Sequence, residues 1–355
     1  MKILHVVGAR PNFPKLAPVY RAAAAAGAGI SQVVVHTGQH YDDGMSEVFF
    51  RDLGMRPPEI NLDVGSGTHA AQTARIMERI EPVLLEQRPD WVVVYGDVNS
   101  TIAAALVAVK IGQRVAHVEA GVRSHDWSMP EEVNRIVVDR LATLLLTPSR
   151  NADATLRAEG EPASEIVFVG NVMVDALLYA VERARLTRFR DTLGLPAKSA
   201  VAVTLHRPSN VDDPRRLGAI VAALKVVARE RPVIFPVHPR TKVRIESAGI
   251  DLGAIKALPP LGYLQMLDLV DSARVLVTDS GGLQVESAAL GVPCVTVRDT
   301  TEWLETVECG ANQLVPEPER IPDAVRDAKT RDKAPRPDGW DGMAAVRVVD
   351  SLRSR

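Results

Sequence analysis

The stretch DWVVVYGDVNSTIAAALVAVKIGQRVAHVEAG, residues 90–121, decides the fold class of the chain. Two continuous apolar runs, at 90–97 and 114–121, flank a segment that opens with Asn, Ser and Thr, residues that favour a helix start. Apolar runs without alternation are typical of strands buried on both faces of a parallel sheet. The stretch therefore predicts a strand–helix–strand unit with parallel strands.

The same unit recurs along the chain in two series. A charged segment that becomes rich in Gly and Pro, at 181–198, separates the series and predicts a helix followed by an interdomain connection. The other predicted strands of the first series are 3–7, 32–38, 142–149 and 165–171. The second series consists of units with a strand followed by a polar turn, at 199–209, 231–241, 253–262, 273–282 and 291–300. We therefore expect two doubly wound α/β domains, at 1–172 and 173–337, followed by a terminal segment at 338–355.

Composition and charge exclude several classes of protein. The chain has 355 residues, of which 46% are hydrophobic, enough for two domains with separate cores. A net charge of −2 argues against a nucleic-acid partner, which usually needs a strongly basic face. No apolar run approaches the ~20 residues of a membrane span, and no signal-peptide pattern is present. We expect a cytoplasmic protein without a membrane or nucleic-acid partner.

Cofactor and metal motifs are also missing from the sequence. Cys294 and Cys309 form no CxxC pair, no HExxH occurs, and no Cys/His cluster has metal-ligand spacing. Neither a GxGxxG dinucleotide fingerprint nor a GxSxG nucleophile elbow occurs. The sequence therefore predicts neither a metal nor a cofactor.

Polar side chains follow the predicted strands repeatedly. In doubly wound sheets, ligands bind at the carboxyl ends of the strands. The residues in question are Arg10, His36, Asp97, Glu119, His206, His238 and Asp279. Because they occur in both halves, we expect the two strand-end faces to meet across one cleft.

The segment HVEAGVRSHDWSMPEEVNR, residues 117–135, concentrates carboxylates around one spot. Glu119 directly follows an apolar strand, and Glu131 and Glu132 follow within the same connection. Several carboxylates suit proton transfer or the stabilisation of a cationic transition state. For Asp97, after the preceding strand, the alternative is a helix cap.

Alternatives also exist for the charges of the following helix. Glu131 and Glu132 come directly after Pro130, where first-turn carboxylates stabilise a helix start, and one of them is expected to do only that. Arg135 and Asp139 are expected to serve helix structure.

The segment ARVLVTDSGGLQVES, residues 273–287, is the most specific in the second half. Ser280, Gly281 and Gly282 form a turn before a predicted helix, whose free N–H groups favour phosphate. Glu286 lies one turn into the helix, where it could accept ribose hydroxyls. The alternative is a plain turn in which Ser280 caps the helix.

Basic side chains after other strands could bind a diphosphate, because guanidinium and imidazolium groups donate well to phosphate oxygens. They are Arg10 and Lys15 after the first strand, His206 and Arg207 in the turn of the segment at 199–209, and His238 and Arg240 in the turn of the segment at 231–241. For the first pair, the alternative is a solvated helix start.

Taken together, these segments resemble the bacterial non-hydrolysing UDP-N-acetylglucosamine 2-epimerases. The segments are VGARPNFPKLAPV, HTGQHYD, GDVNST, HVEAGVRSHDWSMPEEVNR, GNVMVD, TLHRPSN, PVHPRT and TDSGGLQVESAALGVPCVTVRDTTEW. The resemblance runs from about residue 3 to about residue 315. It implies a glycosyltransferase-B-like architecture, with two Rossmann-like domains facing a central cleft and a carboxyl-terminal helix that returns to the first. It also implies a homodimer, a UDP-sugar substrate and a role in making cell-surface polysaccharides.

The resemblance further implies a reaction and a set of residues. The reaction is the reversible C2 epimerisation of UDP-N-acetylglucosamine to UDP-N-acetylmannosamine, by elimination of UDP to 2-acetamidoglucal and re-addition. The implied catalytic residues are Asp97, Glu119, Glu131 and His206; the implied binding residues are Arg10, Lys15, Arg123, Arg207, His238, Ser280, Gly281, Gly282 and Glu286; and a possible regulatory site comprises Gln39, Arg75 and Glu132.

Departures from the family pattern keep the substrate open. Asp42, Val285, Trp303 and Gln313 stand where many members have another residue. One alternative is the same chemistry on a modified sugar, such as UDP-2,3-diacetamido-glucuronate. Others are a hydrolysing epimerase that releases N-acetylmannosamine and UDP, a glycosyltransferase of the same architecture, and a non-catalytic nucleotide-binding module.

Overall fold

The computed structural model describes residues 1–9, 12–38, 54–328 and 336–355. They form two compact units, the first from Met1–Ala176 with Asp338–Arg355 and the second from Leu177–Pro337. Both units are α/β structures on a parallel sheet, as the sequence predicts. None of the helices in these ranges combines the length and apolar character that crossing a membrane requires.

The described part of the first unit has a seven-stranded sheet with the order β3-β2-β1-β4-β5-β6-β7. Its strands are β1 (Lys2–Val7), β2 (Ser31–His36), β3 (Ile60–Asn61), β4 (Trp91–Tyr95), β5 (Val115–Val118), β6 (Leu144–Thr147) and β7 (Ile166–Phe168). Its helices are α1 (Phe13–Ala25), α2 (His69–Gln87), α3 (Asn99–Lys110), α4 (Pro130–Leu141), α5 (Arg150–Ala158) and the start of α6 (Val172–Leu186).

The second unit has a six-stranded sheet with the order β10-β9-β8-β11-β12-β13. Its strands are β8 (Val201–Thr204), β9 (Val233–Pro236), β10 (Lys256–Leu258), β11 (Val275–Thr278), β12 (Cys294–Thr296) and β13 (Asn312–Leu314). Its helices are α7 (Phe189–Thr192), α8 (Pro208–Val211), α9 (Pro214–Ala228), α10 (Pro239–Ser247), α11 (Tyr263–Ser272), α12 (Gly281–Leu290), α13 (Leu304–Glu308), a 3₁₀ turn (Pro318–Arg320) and α14 (Ile321–Asp327).

The continuous apolar runs form central strands because both faces of each sheet are covered. Along β1, Ile3 belongs to one hydrophobic cluster and Leu4 to the cluster on the opposite face. Trp91 and Val92 divide in the same way along β4. Since neighbouring side chains of a strand point to opposite faces, both of which are covered, apolar residues are favoured at consecutive positions.

The strand order of each sheet reverses at one point, between β1 and β4 in the first unit and between β8 and β11 in the second. Ligands of doubly wound folds bind beside this reversal, at the carboxyl ends of the strands. The fold therefore directs attention to the connections that leave these four strands and their neighbour β5.

Two elements were not predicted from the sequence, and one boundary differs. The strands β3 and β13 have two and three residues and lie at sheet edges, so neither forms the long apolar run of a central strand. The helix α12 begins at Gly281, with Ser280 at its N-cap, so the turn after β11 is shorter than predicted.

The last helix, α15 (Ala344–Arg353), belongs to the first unit. Ala344 and Leu352 lie in the same hydrophobic cluster as Ile3 of β1. The Asp175 carboxylate accepts hydrogen bonds from the backbone N–H groups of Ala344 at 3.3 Å and Ala345 at 2.8 Å. These bonds satisfy helix-start donors that would otherwise lack partners.

Candidate functional site

Glu119, the first residue after β5, carries a buried carboxylate with one oxygen in use. Its Oε1 accepts a hydrogen bond from Nζ of Lys15 at 2.8 Å, and both residues are 7% exposed. Its Oε2 is buried and finds no hydrogen-bond partner among the residues that the structure describes. Buried polar atoms without partners are rare in folded proteins and call for an explanation. This oxygen is the leading candidate for contact with a ligand.

The backbone around this carboxylate adopts uncommon conformations. Glu119 has a φ of +76°, in a region that side-chain-bearing residues seldom occupy. Gly96, after β4, has a φ of +61°, and a Cβ there would lie 2.6 Å from Nζ of Lys15. Glycine at 96 is therefore required for Lys15 to reach Glu119. Strained residues of this kind cluster at functional sites.

Asp97 follows Gly96 and forms an ion pair with Arg135 of α4. Its backbone carbonyl accepts a hydrogen bond from Nδ2 of Asn134 at 2.8 Å. The N-cap of α3 is Val98, so Asp97 does not cap that helix. The structure thus places Asp97 at the edge of the sheet that also carries Glu119.

Arg135, which we expected to serve helix structure, forms ion pairs with two acidic residues instead. Besides Asp97, it pairs with Glu132 at 3.4 Å. Burial would lower the pKa of Arg135, but the charges of Asp97, Glu119 and Glu132 raise it above the ordinary value. Arg135 was missed because its main partner lies 38 positions earlier in the chain. Its spacing of four from Glu131 was the available signal, since such residues share a helix face.

The two neighbouring glutamates of α4 differ in their contacts. Oε2 of Glu132 accepts hydrogen bonds from the backbone N–H and hydroxyl of Ser124, and its Oε1 accepts one from the N–H of His125. Burial would raise the pKa of Glu132, but these donors keep it below the ordinary value. Glu131 is half-buried, and neither a hydrogen bond nor an ion pair joins it to another described residue. Glu131 is therefore the glutamate available for chemistry.

Arg123, a predicted ligand residue, is enclosed by protein partners. Its guanidinium forms two bonds to Glu159, at 2.9 and 2.8 Å, one to Asp139 at 2.7 Å and one to the carbonyl of Val122 at 2.8 Å. Its side chain is 2% exposed. Burial would lower the pKa of Arg123, but Glu159 and Asp139 raise it. The group has no free face for a diphosphate.

For three other predicted site residues, the described part of the structure gives no support for a ligand-binding role. Arg10 and Gln39, like the departure at Asp42, lie outside the described residues. Arg75 of α2 donates to the backbone carbonyls of Ala71, Val64 and Ser66 at 3.1 to 3.3 Å, and so fixes the loop before its own helix.

In the second unit, a buried aspartate organises the start of the connection after β8. Asp279 is fully buried and accepts hydrogen bonds from the backbone N–H groups of His206 and Arg207 at 3.1 and 2.9 Å, and from Nδ2 of Asn210 at 3.2 Å. Nδ1 of His206 also lies 3.0 Å from this carboxylate. Burial would raise the pKa of Asp279, but His206 and the other donors keep it low. Asp279 thereby fixes both site residues.

The two predicted histidines lie together at this edge. Their ring centroids are 5.7 Å apart. The His206 side chain is 43% exposed. His238 is exposed at the N-cap of α10, where its Nδ1 accepts a hydrogen bond from the backbone N–H of Arg240 at 3.2 Å. Nε2 of His238 must then carry the proton and is a donor.

A pocket of about 390 Å³ in the same unit is lined by three arginines and by Asp299. Its lining includes Arg207, Arg216 and Arg298, and Glu302 pairs with Arg207 at 3.6 Å and Arg298 at 2.8 Å. Burial and the charge of Arg298 lower the pKa of Arg207. Neighbouring guanidinium groups repel one another, so an anion in this pocket would be stabilised.

The turn before α12 has the features of a phosphate-binding helix start. Ser280 occupies the N-cap position of α12, but its side chain makes no capping hydrogen bond. A Cβ at Gly282 would meet nothing within 4 Å, so the helix start is open on this side. Farther along α12, burial raises the pKa of Glu286 to about 7, partly offset by the Tyr263 hydroxyl.

Comparison with known proteins identifies a family. The model of the UDP-N-acetylglucosamine 2-epimerase family matches residues 22–353. The UDP-2,3-diacetamido-2,3-dideoxy-D-glucuronate 2-epimerase of Pseudomonas aeruginosa is 45% identical over 319 residues, covering 89% of this chain and 88% of the relative. The UDP-N-acetylglucosamine 2-epimerase of Methanocaldococcus jannaschii is 40% identical, covering 98% and 99% of the two chains.

Solved structures agree with the sequence relatives. The crystal structure of the Methanocaldococcus jannaschii enzyme in complex with UDP-GlcNAc and UDP superposes with a TM-score of 0.82 at 40% identity, covering all of both chains. That of the Neisseria meningitidis enzyme bound to UDP-GlcNAc gives 0.84 at 25% identity, also over both whole chains. The predicted glycosyltransferase-B-like fold class, with two parallel-sheet α/β domains, is confirmed.

Proposed function

The chain belongs to the UDP-N-acetylglucosamine 2-epimerase family, and we propose that it interconverts UDP-N-acetylglucosamine and UDP-N-acetylmannosamine by inverting C2. The observation that carries the proposal is the buried Glu119 carboxylate, which Lys15 holds through one oxygen and whose other oxygen has no hydrogen-bond partner among the described residues. Such a group is fixed and ready to accept a proton or face a developing positive charge.

The chemistry requires more than one carboxylate. The proton on C2 is not adjacent to a carbonyl and is barely acidic. In the proposed route, a base removes this proton while the bond between C1 and the UDP oxygen breaks, which leaves 2-acetamidoglucal and UDP. In the return step, an acid protonates C2 on the opposite face and the UDP oxygen bonds to C1. Two faces need acid–base groups, and an oxocarbenium-like C1 needs nearby negative charge.

The first unit supplies these groups in the proposal. Asp97, Glu119 and Glu131 are the candidate acids and bases, and Glu131 is the one without a protein partner in the described chain. Lys15 and Arg135 orient Glu119 and Asp97. This assigns Lys15 to the carboxylate rather than to the nucleotide.

The second unit supplies the UDP-binding groups in the proposal. His206, Arg207 and His238 donate to the diphosphate. The N–H of Ser280 already donates to the Thr278 hydroxyl, so the turn offers the backbone N–H groups of Gly281 and Gly282 to the same anion. Glu286 accepts from the ribose. The UDP leaving group has to stay bound until it re-adds.

Some sequence expectations stay outside this assignment. Arg123 is left out because its guanidinium is fully engaged by Glu159, Asp139 and Val122. A regulatory site comprising Gln39, Arg75 and Glu132 is also left out, because Glu132 already accepts three hydrogen bonds from the 124–125 loop. The homodimer and the cytoplasmic location stay predictions from the sequence.

A second candidate substrate has a specific observation in its favour. The similar Pseudomonas aeruginosa protein is named for UDP-2,3-diacetamido-2,3-dideoxy-D-glucuronate. A uronate would need a cation for its C6 carboxylate. Of the arginines that line the pocket in the second unit, Arg207 and Arg298 pair with Glu302, whereas Arg216 forms no ion pair with a described carboxylate. The same C2 chemistry would then act on an anionic sugar.

The test is to give the purified protein each sugar nucleotide separately and to separate the products by anion-exchange chromatography. We expect UDP-N-acetylglucosamine and UDP-N-acetylmannosamine to reach the same mixture from either side. A kcat/KM at least tenfold higher for the diacetamido-glucuronate would favour the second candidate. Accumulation of free N-acetylmannosamine and UDP would instead indicate the hydrolysing reaction.

A further inference from the structure

One buried carboxylate, that of Asp139 on α4, binds on both sides of Glu119. Its Oδ1 accepts a hydrogen bond from Nδ1 of His117 at 2.6 Å. Its Oδ2 accepts one from the backbone N–H of Gly121 at 3.1 Å and pairs with Arg123 at 2.7 Å. Asp139 is 1% exposed. The side chain thus fixes residues two positions before, two after and four after Glu119.

The Glu119 segment needs this support because its backbone is strained. A non-glycine residue at φ +76° is unfavourable, and persists only where the surroundings determine the conformation. The N–H groups of Glu119 and Ala120 both donate to the carbonyl of Leu146, at 3.1 and 3.2 Å, which anchors the start of the turn. The contacts of Asp139 anchor its flanks.

The second nitrogen of His117 extends this network toward Asp97. Nε2 of His117 lies 2.8 Å from the carbonyl oxygen of Gly96, the residue directly before Asp97. A carbonyl can only accept, so Nε2 carries a proton. Burial would raise the pKa of Asp139, but its contacts with His117 and Arg123 keep it below the ordinary value. The imidazole of His117 therefore links the Asp139 carboxylate, at Nδ1, to the Gly96 carbonyl, at Nε2.

We infer that Asp139 is a positioning residue for the epimerisation: through His117 and Gly121 it fixes Asp97 and Glu119 relative to each other. The inference rests on the proposed function. Each oxygen of Asp139 has a protein partner, so it acts through other residues rather than on the substrate. A displacement of a reacting group by about 1 Å can cost about 100-fold in rate.

The first experiment compares two matched variants by turnover, thermal midpoint and deuterium isotope effect. Asp139→Asn keeps the side-chain size but presents an NH₂ group to one of its donors. We expect kcat to fall about 30- to 100-fold, with KM and the Kd for UDP unchanged. The isotope effect of 2-deuterated substrate on kcat should rise, because transfer of the C2 proton becomes slower than the other steps.

The control is Asp153→Asn, also in the first unit. Asp153 is a buried aspartate of α5 that accepts a hydrogen bond from Thr147 and pairs with Arg150, and among the described residues no hydrogen bond or ion pair joins its side chain to the Glu119 turn. We expect it to lower Tm as much as Asp139→Asn, while kcat and the isotope effect stay at the wild-type values. A merely structural role of Asp139 would make the two variants alike.

A second pair of variants divides the network at His117 and applies even if Asp139→Asn does not fold. The Asn amide of His117→Asn takes the place of Nδ1 and can donate to Asp139, but it does not reach Gly96. The Gln amide of His117→Gln takes the place of Nε2 and can reach Gly96, but not Asp139. We expect each variant to lower kcat at least tenfold and to raise the isotope effect, because either break uncouples the two segments.

The outcomes distinguish failure of the positioning role of Asp139 from failure of the proposed epimerase function. Wild-type turnover in both His117 variants, or an Asp139→Asn that behaves like Asp153→Asn, would overturn the positioning role and leave the epimerase assignment intact. A wild-type protein inert toward both UDP-sugars would overturn the proposed function, and this role with it.

Discussion

Two regions of the molecule, one in each unit, hold their charged groups in different ways. In the first unit, Glu119 and Asp97 each pair with a cation from a helix, Lys15 and Arg135 respectively. In the second unit, the buried anchor is Asp279, and the basic groups it fixes are partly open, with His206 43% exposed. This difference indicates which step each region serves. Carboxylates in fixed positions suit proton transfer, and partly exposed hydrogen-bond donors suit a ligand that must enter and leave.

The largest expected effect is the loss of turnover when the buried carboxylate of the first unit, Glu119, is neutralised. Glu119→Gln keeps the side-chain size and an oxygen that can accept from Lys15, but it cannot take up a proton. We expect kcat to fall about 10³-fold, within the range for loss of a general acid or base, while the Kd for UDP by calorimetry stays the same. Glu59→Gln, at an exposed carboxylate of the same unit that binds the N–H of Val34, is the control. Near-normal turnover of Glu119→Gln would refute the assignment.

A smaller effect is expected from removing a cation that orients a carboxylate. Arg135→Gln takes away the partner of Asp97, which then loses its fixed geometry, and we expect kcat to fall about 10- to 100-fold with little change in KM. Arg140→Gln, on the same helix but exposed and paired with Glu161, should keep wild-type rates. Equal rates for both variants would show that Arg135 only stabilises the helix.

Removing a basic side chain of the second unit is expected to change the affinity for UDP rather than kcat. Arg207→Ala removes a half-open cation beside the turn before α12, and we expect the Kd for UDP to rise about tenfold, as loss of a charged hydrogen bond would give. At saturating substrate, kcat should change little. Arg240→Ala is the matched control, because Arg240 is engaged by Asp212. An unchanged Kd in Arg207→Ala would exclude it from the diphosphate contacts.

The smallest expected effect is a pH dependence of UDP binding. Glu286 has a pKa raised to about 7, so it becomes ionised as the pH rises through neutrality. An ionised carboxylate is the stronger acceptor for ribose hydroxyls, so UDP should bind a few-fold more tightly at pH 8 than at pH 6. Glu286→Gln should lose this part of the pH dependence, while the titration of UDP itself affects both proteins alike. Identical profiles for the two proteins would contradict the ribose contact.

The sequence predicted most of the fold because buried parallel strands leave a local signal. Runs such as WVVVY at 91–95 are apolar at every position, and this pattern identifies a central strand without knowledge of its neighbours. The edge strands β3 and β13 leave no such signal, since two or three residues bury little apolar surface.

The site was predicted only in part, because its contacts join distant positions. Glu119 and Asp97 could be singled out, since each directly follows an apolar strand. Asp139 was assigned to helix structure, although it binds His117, 22 positions earlier in the chain. Its spacing of four from Arg135 places both on one face of α4, and that periodicity was the only local signal.

The most direct test of the central claim is proton NMR of the protein incubated with UDP-N-acetylglucosamine in D₂O. The account predicts UDP-N-acetylmannosamine that carries deuterium at C2, because the proton is removed from one face and a solvent-derived one is returned to the other. Epimerised product that retains its original C2 hydrogen would contradict the elimination and re-addition route. A spectrum unchanged for both this substrate and the diacetamido-glucuronate would contradict the assignment as an epimerase.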